Sequence, residues 1–199
     1  LWAGGTYTFQ KISSTLEGFN DVYVENSDPS VLSYTPKKNG DGTYTLNVIA
    51  GKPDRDTVVT LTVYDRCYLV NDDKSVTDEK GVPIRITITI KVPTVDTNSI
   101  TVYKGGDSVR INTYDTPLDK LTWDISSTDI SVEKRTDGIY VTGINKTSSP
   151  VKLKLTYECG NITPYEFEIN VTVNEKSEAP SESPSEAPPA SSSAVSSSK

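Results

Sequence analysis

Carboxylates are the commonest groups in this 199-residue chain that could do acid–base chemistry, with 27 Asp and Glu against 20 Lys and Arg. Two carboxyl groups held about 5–10 Å apart can hydrolyse a glycosidic bond. Most of them, however, fall in turns or at outward positions of predicted strands, such as Glu166 and Glu168. Lys152 and Lys154 alternate on a neighbouring predicted strand, so we expect the four side chains to pair across a sheet. A solvated face explains these carboxylates, and we predict a protein without catalytic residues.

The composition excludes several other classes of site. The chain has no histidine, which removes Ser-His-Asp and Cys-His nucleophiles and imidazole metal ligands. Two cysteines are too few for a four-cysteine zinc site. A net charge of -7 argues against a nucleic-acid partner, because such proteins bind phosphates through clustered Lys and Arg. No apolar run reaches the ~18–20 residues of a membrane helix, so no membrane insertion is predicted for this segment.

One acidic cluster has the composition of a cation site. Asp72, Asp73, Asp78 and Glu79 lie close together in the sequence, and calcium prefers such hard oxygen ligands. Their spacing does not match the Asp-x-Asp-x-Asp-Gly pattern, and a solvated acidic loop has the same composition. Calcium at these residues and a solvated loop are both open interpretations, and no other cofactor is predicted.

A second candidate site is aromatic. Tyr64, Arg66 and Tyr68 occupy alternate positions of a predicted strand, so they share its outward face. Two aromatic rings on an exposed strand can form a platform for sugar rings, with the arginine beside them for hydroxyl groups. The segment Tyr68 to Val82 is an insertion without a counterpart later in the chain, and loops on a rigid scaffold are where recognition residues collect. The opposing interpretation is that this long loop folds back and buries both tyrosines.

The elements that must position these residues are β-strands. Residues 85–92 and 166–173 carry an apolar side chain at every second position, which is typical of a strand with one face in a core and one in water. Glycine-rich turn sequences, such as Asn39–Gly42, separate the runs. No helical period of useful length appears. The chain is predicted to be all-β.

The strands belong to two copies of one domain. Leu1–Gly5 matches Val102–Gly106, and Cys67 matches Cys159, with the features in the same order along both halves. We predict domains at 1–93 and 94–176, each with about seven short strands. That spacing indicates immunoglobulin-like β-sandwiches, of which the first begins partway along its first strand.

Matched residues of the two copies carry further predictions. Tyr23 and Trp123 match on the third strand, where a sandwich core usually holds a large aromatic. Cys67 and Cys159 follow runs of alternate apolar residues and are expected to be buried. Because they occupy the same place in successive domains, they should lie at least roughly 25 Å apart, which is beyond the ~7 Å that a disulfide allows between Cα atoms.

The composition changes from Ser177 to Lys199. This segment opens with Ser-Glu-Ala-Pro and Ser-Glu-Ser-Pro units, and its one sizeable apolar side chain is Val195. Burial cannot offset the entropy of ordering it, so residues 177–199 are predicted to be a disordered low-complexity linker that acts as a spacer. The join between the domains, near Pro93, contains no glycine. Proline and β-branched residues favour extension there, which predicts domains stacked end to end.

The second copy resembles a known family. Its Val-Tyr-Lys-Gly-Gly-Asp opening, Trp123 followed by Ser-Ser-Thr-Asp-Ile-Ser-Val, and the Gly-Ile-Tyr-Val-Thr-Gly strand are similar to bacterial immunoglobulin-like domains, group 2. The resemblance covers nearly all of residues 1–174 and contains no catalytic motif. It implies an extracellular stalk, adhesin or spacer module of a secreted or cell-surface protein, often of a Gram-positive bacterium.

The sequence is compatible with two functions. In one, the tandem is a structural spacer that presents neighbouring binding or catalytic modules of the parent protein. In the other, the first domain is itself an adhesin-like or carbohydrate-binding module that uses residues 64–82 and binds a polysaccharide or a host surface protein.

Overall fold

The fold consists of two tandem immunoglobulin-like β-sandwiches. The computed structural model describes residues 1–13, 21–70, 76–80, 83–160 and 162–176, with the backbone alone at residues 21, 65–70 and 76–80. The first domain contains β1 (Thr6–Ile12), β2 (Asp21–Asn26), β3 (Leu32–Lys38), β4 (Tyr44–Ala50), β5 (Thr57–Val70), β6 (Val76–Lys80) and β7 (Ile84–Ile90). The second contains β8 (Ser99–Tyr103), β9 (Val109–Ile111), a short 3-10 helix (Leu118–Lys120), β10 (Leu121–Ile125), β11 (Ile130–Arg135), β12 (Gly138–Gly143), β13 (Val151–Tyr157) and β14 (Tyr165–Asn174).

Each sandwich pairs a three-stranded sheet with a larger one. The smaller sheets have the strand orders β1-β4-β3 and β9-β12-β11. In the larger sheet of the first domain, β5 lies between β2 and β7, and the far end of β5 pairs with β6. The larger sheet of the second domain has the order β10-β13-β14-β8. These pairs are antiparallel except for β8 with β14. This division of the strands is that of the immunoglobulin fold, and the prediction of two all-β sandwiches is confirmed.

The alternation read from the sequence accounts for both cores. Val59, Leu61 and Val63 on β5 are buried, and on β13 every second residue from Val151 to Tyr157 is buried as well. Residues between them point away from the core, as the two-residue period of a strand requires. Replacing one such leucine by alanine typically costs about 2–5 kcal/mol of stability. Each core therefore depends on the central strand of its larger sheet, which is β5 in the first domain and β13 in the second.

The charged pairs predicted across the second domain are present. Lys152 Nζ lies 3.2 Å from Glu168 Oε2, and Lys154 Nζ lies 2.8 Å from Glu166 Oε1. Each lysine on β13 reaches the glutamate on β14 that is its diagonal neighbour in the ladder. The carboxylates most evident in the sequence are thus neutralised on a solvated sheet face.

The prediction that Tyr23 and Trp123 are matched core aromatics was wrong. Trp123 lies opposite Leu155 on the core side, but β10 is an edge strand and the indole is 36% exposed. Tyr23 lies between buried Val22 and Val24, points away from the core and is 37% exposed.

The hydrogen-bond ladder corrects the alignment of the two copies by one residue. Ser27 and Thr60 exchange the same two hydrogen bonds that Ser126 and Lys152 exchange. Val24 then opposes Val63 as Trp123 opposes Leu155. The counterpart of Trp123 is therefore Val24.

The predicted long loop of the first domain is partly a β-ribbon. β5 continues to Val70, and its end pairs with β6 from Arg66 opposite Lys80 to Val70 opposite Val76. Residues 71–75, which include Asp72 and Asp73, lie outside the described residues, as does the predicted linker at 177–199.

Reduction should leave the thermal stability of the protein unchanged. Cys159 is a free, buried thiol, and Cys67 lies opposite Glu79 in the β5–β6 ribbon. We expect superimposable melting curves with and without reductant, and two titratable thiols in the denatured, unreduced protein. A melting temperature lowered by more than a few degrees under reduction would show that a disulfide contributes to the fold.

Candidate functional site

The outward face of the larger sheet in the first domain carries the predicted aromatic site. Tyr23 on β2 is opposite Tyr64 on β5, and their ring centroids lie 6.1 Å apart at an angle of 35°. The Tyr64 hydroxyl donates to Glu25 Oε2 at 3.2 Å. Desolvation, followed by this hydrogen bond, raises the pKa of Tyr64 above its ordinary value. Tyr64 therefore remains a hydrogen-bond donor at neutral pH.

The cross-strand register places a negative and a positive side chain on the same sheet face as the two rings. Glu25 is opposite Thr62, and Thr62 is in turn opposite Arg85 on β7, so all three residues share the outward face. We call Tyr23, Glu25, Tyr64 and Arg85 the tyrosine face. Aromatic rings can stack on an apolar ligand surface, while a carboxylate and a guanidinium accept and donate hydrogen bonds. The arrangement is suited to binding a polyhydroxylated ligand.

The structure brings the sequence-predicted site residues onto one strand. Tyr64, Arg66 and Tyr68 alternate along β5, where Arg66 is opposite Asp21 on one side and Lys80 on the other. Sequence reasoning missed Tyr23, although its place between Val22 and Val24 signals an outward side chain.

The candidate cation site is only partly described. Asp78 and Glu79 lie on β6 opposite Tyr68 and Cys67, whereas Asp72 and Asp73 lie outside the described residues. Within the described part of the chain, no group of three or more His, Cys, Asp or Glu side chains is arranged to hold a metal ion. Calcium at these residues stays a prediction. The described residues also include no helix long and apolar enough to span a membrane.

A second region of functional interest is the contact between the two domains, which we call the junction. Gly4 has a φ of +73°, and a Cβ atom added there would lie 2.1 Å from the Cys159 carbonyl oxygen. Glycine alone tolerates both this backbone conformation and this separation. The two backbones approach as closely as they do because position 4 has no side chain.

Polar contacts join the domains beside Gly4. Lys52, in the β4–β5 connection, donates from Nζ to the Pro164 carbonyl at 2.7 Å and lies 4.8 Å from the centroid of the Tyr165 ring. The Tyr165 hydroxyl donates to the Pro53 carbonyl at 2.6 Å. Burial raises the pKa of Tyr165 to about 12, so this phenol is protonated and able to donate throughout the physiological range.

Apolar packing completes the junction. The rings of Trp2 and Tyr157 lie 6.2 Å apart, and Tyr157 belongs to a small buried cluster with Leu121 and Cys159. This cluster is separate from the main core of the second domain. The end of the second domain therefore has its own apolar surface for the first domain.

Along the segment that connects the domains, the hydrogen-bond partners change from residues of the first domain to residues of the second. Val92 N–H donates to Asp56 Oδ1 of the first domain at 2.7 Å. Thr94 N–H donates to Thr116 Oγ1 of the second domain at 3.1 Å, and Lys91 pairs with Asp115 at 3.3 Å. The connection is held on both sides, while the domain limits at residues 93 and 94 stay a prediction.

Comparisons with known proteins find similarity to solved structures alone. No protein-family model matches the chain, and no curated protein matches it.

The tandem Ig repeats of Dlar are 12% identical, with a TM-score of 0.29 over 88% of this chain and 92% of that chain. The Titin-A168169 structure is 11% identical, with a TM-score of 0.31 over 88% of this chain and 93% of that chain. Mouse clustered PcdhgC3 EC1-3 is 13% identical, with a TM-score of 0.29 over 88% and 63%. The chain spans 37% of the similar Protocadherin Gamma B2 chain.

Replacing Gly4 by alanine should disrupt the junction, and Gly105 is a matched control. Gly105 is the counterpart of Gly4 and has a φ of +61°, but a Cβ atom added there would have no neighbouring atom within 4 Å. Both substitutions strain a left-handed backbone by about 1–2 kcal/mol, but only Gly4→Ala also drives a methyl group into the Cys159 carbonyl. We expect residual dipolar couplings to report a changed or averaged domain orientation for Gly4→Ala and the wild-type orientation for Gly105→Ala. Couplings of Gly4→Ala that fit the wild-type orientation would contradict the close approach at Gly4.

Proposed function

We propose that this chain is a non-catalytic structural module of an extracellular protein, a stiff spacer that holds neighbouring modules of the parent protein apart. The observation that carries the proposal is the close approach of Gly4 to Cys159, with the Lys52 and Tyr165 hydrogen bonds beside it. Flexibly tethered domains need no glycine reserved for backbone contact. A stiff spacer needs a fixed contact between its domains, because its length depends on keeping the angle between them.

The direction of the chain through the junction supports an extended arrangement. The residues of the second domain that contact the first include Asp115 before the 3-10 helix, Tyr157 and Cys159 at the end of β13, and Tyr165 at the start of β14. Tyr157 and Tyr165 are opposite each other at one end of the larger sheet. Residues of the first domain that contact the second lie before β1, between β4 and β5 and after β7. The domains thus meet through their ends, which is the arrangement that the proposed spacer requires.

The resemblance of the second domain to bacterial immunoglobulin-like domains of group 2 supports a secreted or cell-surface protein of a bacterium as the parent of the proposed spacer. The Gram-positive origin and the role of residues 177–199 as an added flexible spacer belong to the same proposal. Its partners are the flanking modules of the parent protein.

A second candidate function is ligand binding at the tyrosine face. It is favoured by the exposed ring of Tyr23 beside Tyr64, with Glu25 and Arg85 on the same sheet face. The ligand class that this chemistry suits is a polysaccharide. Arg66 and Tyr68 would extend the face along β5.

Small-angle scattering tests the spacer. For a chain that ends at Lys176, the radius of gyration should lie well above the roughly 16 Å of a compact globule of that length. The pair-distance distribution should have a long tail, and both quantities should be unaffected by moderate salt because the junction is mostly apolar and hydrogen-bonded. A symmetric, bell-shaped distribution would mean that the domains pack side by side, and the spacer proposal would then fail.

Affinity electrophoresis on soluble glycans tests the tyrosine face. If the face binds a glycan, the wild type is retarded and Tyr23→Ala/Tyr64→Ala is not, because losing two stacked rings weakens binding at least about tenfold, or ~1.4 kcal/mol. Tyr103→Ala is the control, since Tyr103 is also exposed, at 48%, but lies in the second domain. Equal retardation of all three proteins, or of none, would remove this candidate and leave the spacer unaffected.

A further inference from the structure

In the second domain, the loop after β9 and the β11–β12 hairpin face each other across an open groove. The groove has a volume of about 680 Å³, and its lining includes Tyr114, Asp115 and Leu118 from the loop and 3-10 helix and Lys134, Arg135 and Asp137 from the hairpin. Lys134 Nζ donates to the Leu118 carbonyl oxygen at 3.1 Å and ties the two walls together. A groove of this size can take a small molecule or part of a longer chain.

Tyr114 is held in a conformation that tyrosine rarely adopts. Its φ is +50°, a left-handed backbone that costs energy in a residue with a bulky side chain and that glycine or asparagine adopts more readily. Tyr114 is also 63% exposed, so burial of the ring offsets little of that cost. A residue that strains its loop and gains little packing is expected where a site uses its side chain.

The loop around Tyr114 is fixed by hydrogen bonds and by burial. Tyr114 N–H donates to Asn112 Oδ1 at 3.0 Å, and Thr116 N–H donates to the Thr113 carbonyl oxygen at 3.0 Å. Thr113 and Thr116 are 1% and 4% exposed. The exposed ring is therefore presented by an ordered loop, and a ligand would not have to order it on binding.

The charges at the groove largely balance one another. Three ion pairs surround it, which join Asp115 to Lys91 at 3.3 Å, Asp137 to Arg110 at 3.5 Å and Glu133 to Arg135 at 2.9 Å. The two further charged residues of the lining, Asp119 and Lys134, have opposite signs. Paired carboxylates and guanidinium groups still accept and donate additional hydrogen bonds. The groove therefore suits an uncharged ligand that has many hydroxyl groups.

We propose that this groove binds an uncharged oligosaccharide, with the apolar face of one sugar ring stacked on Tyr114 and its hydroxyl groups bonded to the charged side chains of the walls. Tyr114 and Asp115 also line a second cavity, of about 360 Å³, whose lining includes Arg55 and Lys91 of the first domain. A chain of sugar units that passes over Tyr114 therefore reaches the first domain at the junction. This site is separate from the tyrosine face, which lies on β2, β5 and β7.

NMR titration of the full chain with neutral hexasaccharides (cellohexaose, xylohexaose and mannohexaose) tests the site. At least one of them should shift the backbone amide signals of residues 114–119 and 134–137, together with those of residues 54–56 across the junction. Tyr114→Asn should bind that probe at least about tenfold more weakly, whereas Tyr114→Phe keeps the aromatic ring and should bind as the wild type does. The controls Tyr23→Ala/Tyr64→Ala and Tyr103→Ala should also bind as the wild type does, because their residues lie outside the groove.

Thermal melting separates ligand binding from a structural role of the ring. Because asparagine adopts a left-handed backbone more readily than tyrosine, Tyr114→Asn should melt at or above the wild-type temperature. A lower melting temperature would show that the ring supports the fold, and its assignment to a ligand would be overturned.

Salt and a charged probe test the class of ligand. Binding of the neutral probe should be unaffected by moderate salt, because no net charge has to be attracted. Binding that weakens strongly with salt, or a preference for an oligogalacturonate over the neutral probes, would show that the groove recognises charge. If none of the neutral probes shifts these amide signals, the groove is not an oligosaccharide site. Shifts that exclude residues 54–56 would overturn the reach across the junction.

Discussion

In each sandwich, both layers pack on the inward side chains of one strand, the central strand of the larger sheet. β5 and β13 have a neighbour on either side, so their apolar residues are covered by the facing sheet and by both adjacent strands. Their outward residues are consequently fixed in direction as well. In the first domain this places Tyr64 on the tyrosine face, and in the second it places Lys152 and Lys154 within reach of the β14 glutamates. Edge strands lack such support, which explains why Trp123 on β10 stays partly exposed.

Much of this architecture follows from the period of two along the strands. Residues 151–157 and 165–174 are recognisable as strands because apolar and polar side chains alternate there without interruption. β6 is not recognisable in this way, since Val76-Thr-Asp-Glu-Lys has a single apolar residue and gains its strand conformation from pairing with the end of β5. Tyr23 is misassigned when similarity between the copies is weighed above the alternation of its own strand. A one-residue shift reverses the face of a strand residue, so an alignment error of one is enough.

The close approaches could not be read from the sequence in the same way. Gly4-Gly5 has the composition of an ordinary turn, and Gly105-Gly106 has the same composition without any neighbour at the Cβ position of Gly105. What distinguishes Gly4 is a carbonyl group contributed by residue 159, and no local pattern encodes such a distant contact.

The asymmetry of the two copies also bears on what the first domain can present. Cys159 lies just beyond β13, in the short connection that receives Gly4, whereas its match Cys67 lies within β5, paired with Glu79 of β6. The end of the second domain that serves as a contact surface is thus, in the first domain, extended by a ribbon. A domain stacked on that end would meet the ribbon in place of a short turn and could not reproduce the Gly4–Cys159 contact. The ribbon grows from β5, the same strand that carries Tyr64. The two proposed roles therefore use different parts of the first domain: the junction lies at one end, and the ribbon with its adjoining face lies at the other.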